Sequence, residues 1–302
     1  MGQNNPKEGE RMIPDIAHLP MNPRLLGQAE VIRDIVYSKN GQKLTLILPW
    51  AEQGSRPRLP GRPLIVFVQG SGWTTPNLDY EIPFLSHFAE EGYAVATVCH
   101  RSATDGHPFP AFLLDVKSAV RFLRAHAADY AIDPDRVAAM GSSSGGNAVC
   151  LVGLTGDDPK LKTEEYAQES DAVLGVVSCA APTDLPALFR HLWNTPDSEN
   201  RVAAMLGPDK SRWEEKERQY SPVFRVEDGK PCPPFLLLHG TADQTVPCAQ
   251  MEVFYRRLKA AGADVTAYYV DGAAHGGNFW GPEMRGVIHD HLCRWLQRAE
   301  KE

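Results

Sequence analysis

The chain has 302 residues, of which 43% are hydrophobic and 23% are charged, so it can bury a full core and is not a disordered chain. Its formal net charge is −7 and its lysines and arginines form no dense run, which disfavours nucleic acid and anionic membranes as partners. We expect a single domain over residues 1–302.

The amino-terminal segment and the cysteines bear on the cellular compartment. The first twenty residues lack the apolar core of a secretory signal, and no later segment has the uninterrupted apolar length of a membrane span. The six cysteines are scattered and none forms a Cys-x-x-Cys pair, which favours free thiols in a reducing compartment. We therefore expect a cytoplasmic protein, although a signal peptide already removed would leave no trace.

Short apolar runs alternate with helical patterns along most of the chain. Residues 115–126 repeat apolar side chains at helical spacing, with Lys117, Arg121 and Arg124 on the opposite, polar side. Residues 51–63 read as a surface loop, and the first thirty residues or so show no clear periodicity. Strands alternating with helices predict the α/β class, a mostly parallel twisted sheet with helices on both faces. The predicted strands are 44–48, 64–69, 94–99, 137–140, 173–178, 235–239 and 265–270.

Residues 182–234 differ in character from the rest. The segment is rich in charge, tryptophan and proline, and it shows helical patterns at 187–193 and 212–220 without a convincing strand. Ligands bind at the carboxyl edge of open α/β sheets. We therefore predict that this segment is a small helical cap inserted over that edge.

The strongest chemical signal lies where a short apolar run meets a glycine-rich turn. The run 136–140 leads into Gly-x-Ser-x-Gly, and the residues after it can begin a helix. Gly141 and Gly145 permit the tight turn that projects Ser143 from the sheet edge as a nucleophile. Taken alone, the motif is equally compatible with an ordinary turn rich in glycine and serine.

Two later motifs favour catalysis. A continuous apolar run, typical of a buried strand, ends in a polar turn that carries Asp243. A loop after the last predicted strand carries His275. A neutral imidazole can take the proton of a serine hydroxyl, and a carboxylate can orient the imidazole. We predict Ser143 as nucleophile, His275 as general base and Asp243 as the orienting acid, in the chain order that such triads use on parallel sheets. Asp264 and Asp271 are rival acids, but neither follows a strand in the expected place.

A second glycine-rich loop follows the predicted strand at 64–69. Its residues Ser71, Gly72 and Trp73 can present backbone N–H groups to a carbonyl oxygen as that oxygen gains negative charge. The N–H of Ser144, directly after the predicted nucleophile, is the complementary donor. We predict that these four residues form an oxyanion hole.

Four stretches together are similar to the motifs of one enzyme family. They resemble, in chain order, its His-Gly-Gly-Gly-Phe/Trp loop, the stretch ahead of the next helix, the approach to the nucleophile, and its acid motif. The four stretches are Gln69–Trp73, His107–Ala111 with Asp115, Ile132–Arg136, and His239–Asp243 with Val246 and Pro247. On these grounds the sequence from about residue 64 onward resembles an α/β-hydrolase of the acetyl xylan esterase and feruloyl esterase (BD-FAE-type) group, related to the hormone-sensitive-lipase-like carboxylesterases.

The sequence departs from the family pattern at four positions. Gln69 replaces the usual histidine and Ser71 the second glycine, which leaves open which N–H groups form the oxyanion hole. Ser142 stands where the family often has an acidic residue, and Asn147 where some relatives have histidine. None of these changes removes a group of the predicted triad.

Candidate substrate contacts are Trp73, Asn147 and Trp280. Together with Trp193 and Phe279, the two tryptophans could pack on a sugar or an aromatic acyl group, or form only the wall of a pocket.

Two further groups of polar residues could suggest a metal site or a catalytic role, but we interpret both as structural. His289 and His291 flank Asp290, but residues two apart on a helix diverge, so we predict no metal site and no cofactor. Asp115 and Arg101 resemble family positions that imply a structural ion pair or buried hydrogen-bonding group beneath the site.

The predicted function is hydrolysis of short-chain or aromatic carboxylic esters through an acyl-enzyme on Ser143. The resemblance implies acetyl or feruloyl groups on plant carbohydrate, so the expected partner is a small-molecule or oligosaccharide ester. An amidase or peptidase, including a formamide hydrolase, uses the same triad and remains an alternative. A catalytically silent fold that binds carbohydrate is the alternative from another class.

Overall fold

The computed structural model describes residues 28–50, 61–192 and 198–296. In these residues eight strands form one sheet with the order β1-β2-β4-β3-β5-β6-β7-β8. The pairs β1–β2 and β2–β4 are antiparallel, and every other pair is parallel. The strands are β1 Ala29–Val36, β2 Lys43–Pro49, β3 Arg62–Val68, β4 Ala94–Val98, β5 Ile132–Ser142, β6 Val176–Cys179, β7 Phe235–Gly240 and β8 Val265–Val270.

Helices cover both faces of the sheet, which confirms the predicted α/β class. Helix α3 follows β5 without an intervening loop, as the glycine-rich turn predicts. Helix α2 begins at Ala111, four residues earlier than its periodicity predicts (115 − 111 = 4). The helices are α1 Ile82–Glu90, α2 Ala111–Ala125, α3 Ser143–Leu154, α4 Leu185–Leu192, α5 Ser198–Leu206, α6 Trp213–Gln219, α7 Pro222–Arg225, α8 Ala249–Ala260 and α9 Pro282–Leu296.

The two faces of β3 show how alternation builds two separate cores. Leu64, Val66 and Val68 lie in one cluster, which includes the buried faces of α2, α3 and α8. Ile65 and Phe67 point the other way, into a cluster that includes side chains of α1 and α9. Successive side chains of a strand point to opposite faces, so a continuous apolar run is what a doubly covered strand requires.

The edge strand β1 is absent from the sequence-based prediction. Its eight residues are half-buried or exposed, so they carry no strong apolar pattern. Its register with β2 shifts between Ile32 and Ile35, and Asp34 has a positive φ of 59°. A bulge of this kind breaks the alternation by which a strand is detected.

One face of α2 contradicts the sequence-based interpretation. Lys117 and Arg121 lie on the side that the helical pattern marks as polar, yet both are fully buried. Asp171 accepts hydrogen bonds from both, at 2.6 Å from Lys117 Nζ and 2.6 Å from Arg121 Nη1. A segment folded back over the helix therefore covers its charged face and supplies the compensating carboxylate.

The segment 182–234, which we call the insertion, connects β6 to β7. Its described residues contain α4 to α7 and no strand, as predicted from the sequence. Phe109 joins it to the main body: its N–H donates to Met205 O at 2.8 Å, and its ring lies 5.4 Å from that of Tyr220. The insertion therefore packs on the residues just before α2.

Two further observations concern the described residues. None of the helices in the described ranges is long and apolar enough to cross a membrane. The six cysteines are free thiols.

Candidate active site

The turn from β5 into α3 places Ser143 at the carboxyl edge of the sheet. Ser143 has a φ of 52°, in the left-handed region that side chains other than glycine rarely adopt. A Cβ atom on Gly145 would lie 2.0 Å from Val68 O, so only glycine lets α3 approach β3 this closely. The turn is thus strained at the residue that it presents, which is characteristic of a functional position.

Three side chains from different strand ends meet at this turn. Ser143 Oγ lies 2.9 Å from His275 Nε2, and His275 Nδ1 lies 2.7 Å from Asp243 Oδ2. An ionised carboxylate only accepts hydrogen bonds, so Nδ1 carries the proton and Nε2 is free to accept the proton of the Ser143 hydroxyl. The structure therefore brings together all three residues of the predicted triad, in the order required for nucleophilic attack.

Asp243 is the acid that reaches His275. Its side chain is fully buried, and its Oδ1 accepts the backbone N–H groups of Thr245 at 2.9 Å and Val246 at 2.8 Å. The rival Asp264 precedes β8 and therefore lies at the opposite edge of the sheet, and within the described residues no contact joins it to His275. Asp271 follows β8 but is exposed, and it too makes no contact with His275 in the described part of the chain.

Hydrogen bonds keep Asp243 ionised despite its burial. Burial would raise the pKa of this carboxyl, but hydrogen bonds from His239, His275 and the N–H of Val246 outweigh it and hold the pKa below its ordinary value. With the folded-state pKa depressed, Asp243 stabilises the fold above the pKa of the unfolded chain, and this contribution is lost as the pH falls through the folded pKa.

A buried histidine, His239, supports the acid. His239 is fully buried at the end of β7, and its Nε2 donates to Val246 O at 2.8 Å while lying 3.4 Å from Asp243 Oδ2. The sequence motif predicts no separate role for His239. A polar residue ending an otherwise apolar strand is the signal that could have identified it.

The loop after β3 lies against the nucleophile turn through two serine hydroxyls. Gly70 N–H donates to Ser142 Oγ at 3.1 Å, and Ser71 N–H donates to Ser144 Oγ at 2.9 Å. This corrects one expectation, because the N–H of Ser71 already has an acceptor and is not free for an oxyanion.

The other predicted donors remain available. In the described ranges the N–H groups of Gly72 and Trp73 have no acceptor. Ser144 is the second residue of α3, where a helix N–H has no partner within the helix. Donors from the loop and from the helix start can therefore converge on a carbonyl attached to Ser143.

The predicted substrate contacts lie in different environments. Asn147 is fully buried, and its Nδ2 donates to Pro182 O and Tyr220 O, each at 3.0 Å. This corrects the expectation of a substrate contact, because Asn147 instead ties α3 to the insertion. Trp73 is 4% exposed and packs on Phe109, so its side chain offers almost no surface to a ligand.

The remaining aromatic candidates follow His275 or lie outside the described residues. Trp280 is half-buried, with its ring 4.6 Å from that of Phe84 and 5.3 Å from that of the buried Phe279. Trp193 falls within residues 193–197, outside the described ranges.

Two groups of polar side chains lie away from the triad. Arg101 and Asp115 form the ion pair that the resemblance implies, with Nη2 and Oδ1 2.9 Å apart. On α9, His289 faces Cys293 while His291 bonds to Val287 O, so the two rings diverge. In the described part of the chain no group of three or more His, Cys, Asp or Glu residues could hold a metal ion.

The fold and the serine–histidine–aspartate arrangement together define an α/β-hydrolase. A family model described as BD-FAE matches residues 55–258, more than half of the chain, and the chain belongs to this family. The resemblance read from the motifs is thereby confirmed.

Named relatives fit this assignment. The esterase LipC of Mycobacterium tuberculosis is 32% identical over 253 residues, which cover 79% of this chain and 59% of LipC. The chain thus spans little more than half the length of that relative. Among solved structures, a bifunctional GH43-CE of Bacteroides eggerthii has a TM-score of 0.76 at 27% identity, covering 88% of this chain and 38% of the other. The thermophilic esterase Est2 of Thermogutta terrifontis has a TM-score of 0.69 at 26% identity, covering 90% and 95% of the two chains.

Proposed function

We propose that the chain is a serine hydrolase that cleaves carboxylic esters through an acyl-enzyme. The observation that carries this proposal is the continuous hydrogen-bonded path from Asp243 through His275 to Ser143 Oγ. Membership of the BD-FAE family and the similarity to LipC and Est2, both named as esterases, support it.

The proposed reaction begins with attack of Ser143 Oγ on the ester carbonyl carbon. His275 Nε2 accepts the hydroxyl proton as the new C–O bond forms, and Asp243 stabilises the resulting imidazolium. N–H donors of the loop after β3 and of Ser144 bind the oxyanion. His275 then protonates the departing alcohol, and a water molecule releases the acid by the same sequence of steps.

The substrates that we propose are esters of short-chain or aromatic acids, in particular acetyl or feruloyl groups on plant carbohydrate. The motif resemblance to acetyl xylan and feruloyl esterases supports this class. His275 keeps 21% of its side chain exposed, so the site is not sealed from solvent. We further propose that the insertion serves as the cap of this site, since Asn147 joins it to α3.

The decisive variant is Ser143→Ala. We expect it to lose at least about a thousandfold in kcat for p-nitrophenyl acetate, because no other group on the path can attack the carbonyl. A fluorophosphonate probe should label the parent at Ser143 and leave the variant unlabelled. Hydrolysis by the variant at the parental rate would overturn the proposal.

Substrate class is tested with matched pairs on the parent enzyme. We expect turnover of acetylated xylan oligosaccharides and methyl ferulate, and faster hydrolysis of p-nitrophenyl acetate than of the matching anilide. A strong preference for the anilide would assign an amidase to the same triad, since the acyl-transfer groups are identical.

A further inference from the structure

Two serine side chains on either side of the nucleophile hold the neighbouring loop. Ser142 Oγ and Ser144 Oγ accept the N–H groups of Gly70 and Ser71, at 3.1 Å and 2.9 Å. The Gly-x-Ser-x-Gly turn itself requires a hydroxyl only at the nucleophile. The motif therefore does not require the two flanking hydroxyls. Both of them accept hydrogen bonds from the backbone of the loop after β3.

The held loop is a tight turn with its own internal bonds. Thr74 N–H donates to Ser71 O at 3.2 Å, and Ser71 Oγ donates to Thr74 O at 2.6 Å. Between them, Gly72 and Trp73 have φ values of 62° and 60°, so two successive residues are left-handed. Anchoring Ser71 therefore orients the Gly72 N–H, because hydrogen bonds between residues 71 and 74 fix the turn that contains it.

Ser144 contributes two different atoms to this arrangement. Its N–H lies at the start of α3 without an intrahelical partner, and its Oγ holds the loop that carries the Gly72 N–H. The side chain is buried, with 1% of the residue exposed, so water does not compete for the hydroxyl. A single residue thus links the helix donor to the loop donor.

We propose that the Ser144 hydroxyl is a positioning group that sets the separation of the two oxyanion donors, Gly72 N–H and Ser144 N–H. It also keeps the N–H of Ser71 occupied, so that the free donors of the loop begin at the next residue, Gly72. Ser142 acts in the same way through Gly70, one residue further from the oxyanion. This inference rests on the proposed ester hydrolysis and adds the device that holds its oxyanion hole in shape.

Oxyanion stabilisation depends steeply on such placement. Donors act when they lie about 2.7–3.1 Å from the position of the developing oxyanion, which differs from that of the ground-state carbonyl. We call the hydrogen bond from the Ser71 N–H to Ser144 Oγ the clamp. Without the clamp, the loop can relax away from α3. The rate of acylation should therefore fall while binding of the neutral ester changes little.

The test compares Ser144→Ala with Ser86→Ala. Ser86 Oγ donates to Ile82 O inside α1, away from the site, and its variant should keep the parental kcat. For Ser144→Ala we expect kcat for p-nitrophenyl acetate to fall roughly tenfold to hundredfold, with KM within about twofold of the parent. A role in stability alone would lower the melting temperature but leave kcat of the folded enzyme unchanged.

A spectroscopic measurement reports the oxyanion hole directly. The carbonyl stretch of an acyl-enzyme, trapped at low pH and recorded by infrared difference spectroscopy, shifts to lower frequency when N–H groups bind the oxygen. We expect the band of Ser144→Ala to lie at higher frequency than that of the parent. If Ser144→Ala fails to fold, Ser144→Cys keeps the side-chain size with a weaker acceptor, and we expect its kcat and band to shift in the same directions.

Two results would overturn the inference: parental kcat in the folded variant, or an acyl carbonyl band identical to that of the parent. These failures are separate from failure of the proposed function, which is decided by Ser143→Ala. An inactive Ser143→Ala beside a fully active Ser144→Ala would refute the clamp and leave the esterase proposal intact.

Discussion

At the scale of the residue, Gln69 shows how one unusual side chain is accommodated beside the oxyanion loop. It stands where the resembled family has histidine, and its Oε1 accepts the N–H of Asn77. It also hydrogen-bonds to Glu81, a carboxyl that is 7% exposed and directly precedes α1. Burial raises the pKa of Glu81 to about 7, against the lowering effect of its hydrogen bonds.

The raised pKa of Glu81 predicts a pH dependence of stability. Below the unfolded-state pKa of 4.5 the carboxyl is protonated in both states and carries no penalty. As the pH rises toward 7 the unfolded chain loses its proton first, so the free energy of unfolding falls, by at most about 3 kcal/mol. Glu81→Gln should remove this loss and be more stable than the parent at pH 8 but not at pH 4.

Urea unfolding at a series of pH values measures this difference. The exposed Glu214→Gln is the control for the general effect of removing one negative charge, and its difference from the parent should stay small throughout. A gap between Glu81→Gln and the parent that does not widen between pH 5 and 7 would show that Glu81 ionises normally in the fold.

At the scale of the element, the site depends on how closely α3 approaches β3. The backbone of Gly145 touches the end of β3, where an added Cβ would lie 2.0 Å from Val68 O and 2.8 Å from Gln69 O. Both contacts are backbone atoms at the end of a central strand or directly after it, and they cannot move aside as a flexible side chain would. The loop after β3 and the nucleophile therefore share one rigid junction.

Gly145→Ala should separate α3 from β3 and disturb stability and activity together. We expect a loss of about 3 kcal/mol in the free energy of unfolding, because the methyl group overpacks a junction that has no free volume. In the fraction that remains folded, ester hydrolysis should fall more than about tenfold, since Ser143 moves with the helix.

Gly286→Ala is the matched control, because it lies within α9 with nothing within 4 Å of the added Cβ. It should stabilise the protein by about 0.5–1 kcal/mol, the ordinary helix preference for alanine over glycine. Equal stability and activity in Gly145→Ala and the parent would show that the junction is looser than its distances imply.

At the scale of the whole molecule, a buried cluster of charges joins α2 to the segment that precedes β6. Lys117, Arg121 and Asp171 have side chains with no exposed surface. Lys117 Nζ also donates to Thr155 O at 2.6 Å, and Asp171 Oδ1 accepts the N–H of Asp157 at 2.9 Å. Burial lowers the pKa of Lys117, while its attraction to Asp171 opposes this shift.

Removal of the shared carboxylate should be far more damaging than removal of one cation. Asp171→Asn leaves two buried cations without a counter-charge, so we expect a loss of about 3–5 kcal/mol in the free energy of unfolding. Lys117→Met leaves the Arg121–Asp171 pair intact and should cost distinctly less. Chemical denaturation measures the free energy of unfolding of both variants. A smaller loss for Asp171→Asn than for Lys117→Met would show that Asp171 is not the main counter-charge of the two cations.

The sequence by itself determined the fold class and the meeting of Ser143, Asp243 and His275 at one edge of the sheet. Continuous apolar runs of strand length report strands covered on both faces, and the residues just after such runs must lie at one edge of the sheet. Ser143, Asp243 and His275 each follow a strand in this way, so their meeting could be predicted without coordinates. An apolar run and the residue that follows it are local features of the sequence, so they can be recognised without knowing which other segments pack around them.

Only the tertiary structure decided which polar groups are free. Helical periodicity marks Lys117 and Arg121 as a polar face but does not reveal the segment that covers them. In the same way, the N–H of Ser71 is bound by a hydroxyl 73 residues away along the chain. The side chain of Asn147 is bound by two carbonyl oxygens, 35 and 73 residues away. A hydrogen-bond partner is set by the packing of distant segments, which leaves no mark in the local pattern. Only the folded chain could therefore show which N–H groups near Ser143 are still without an acceptor.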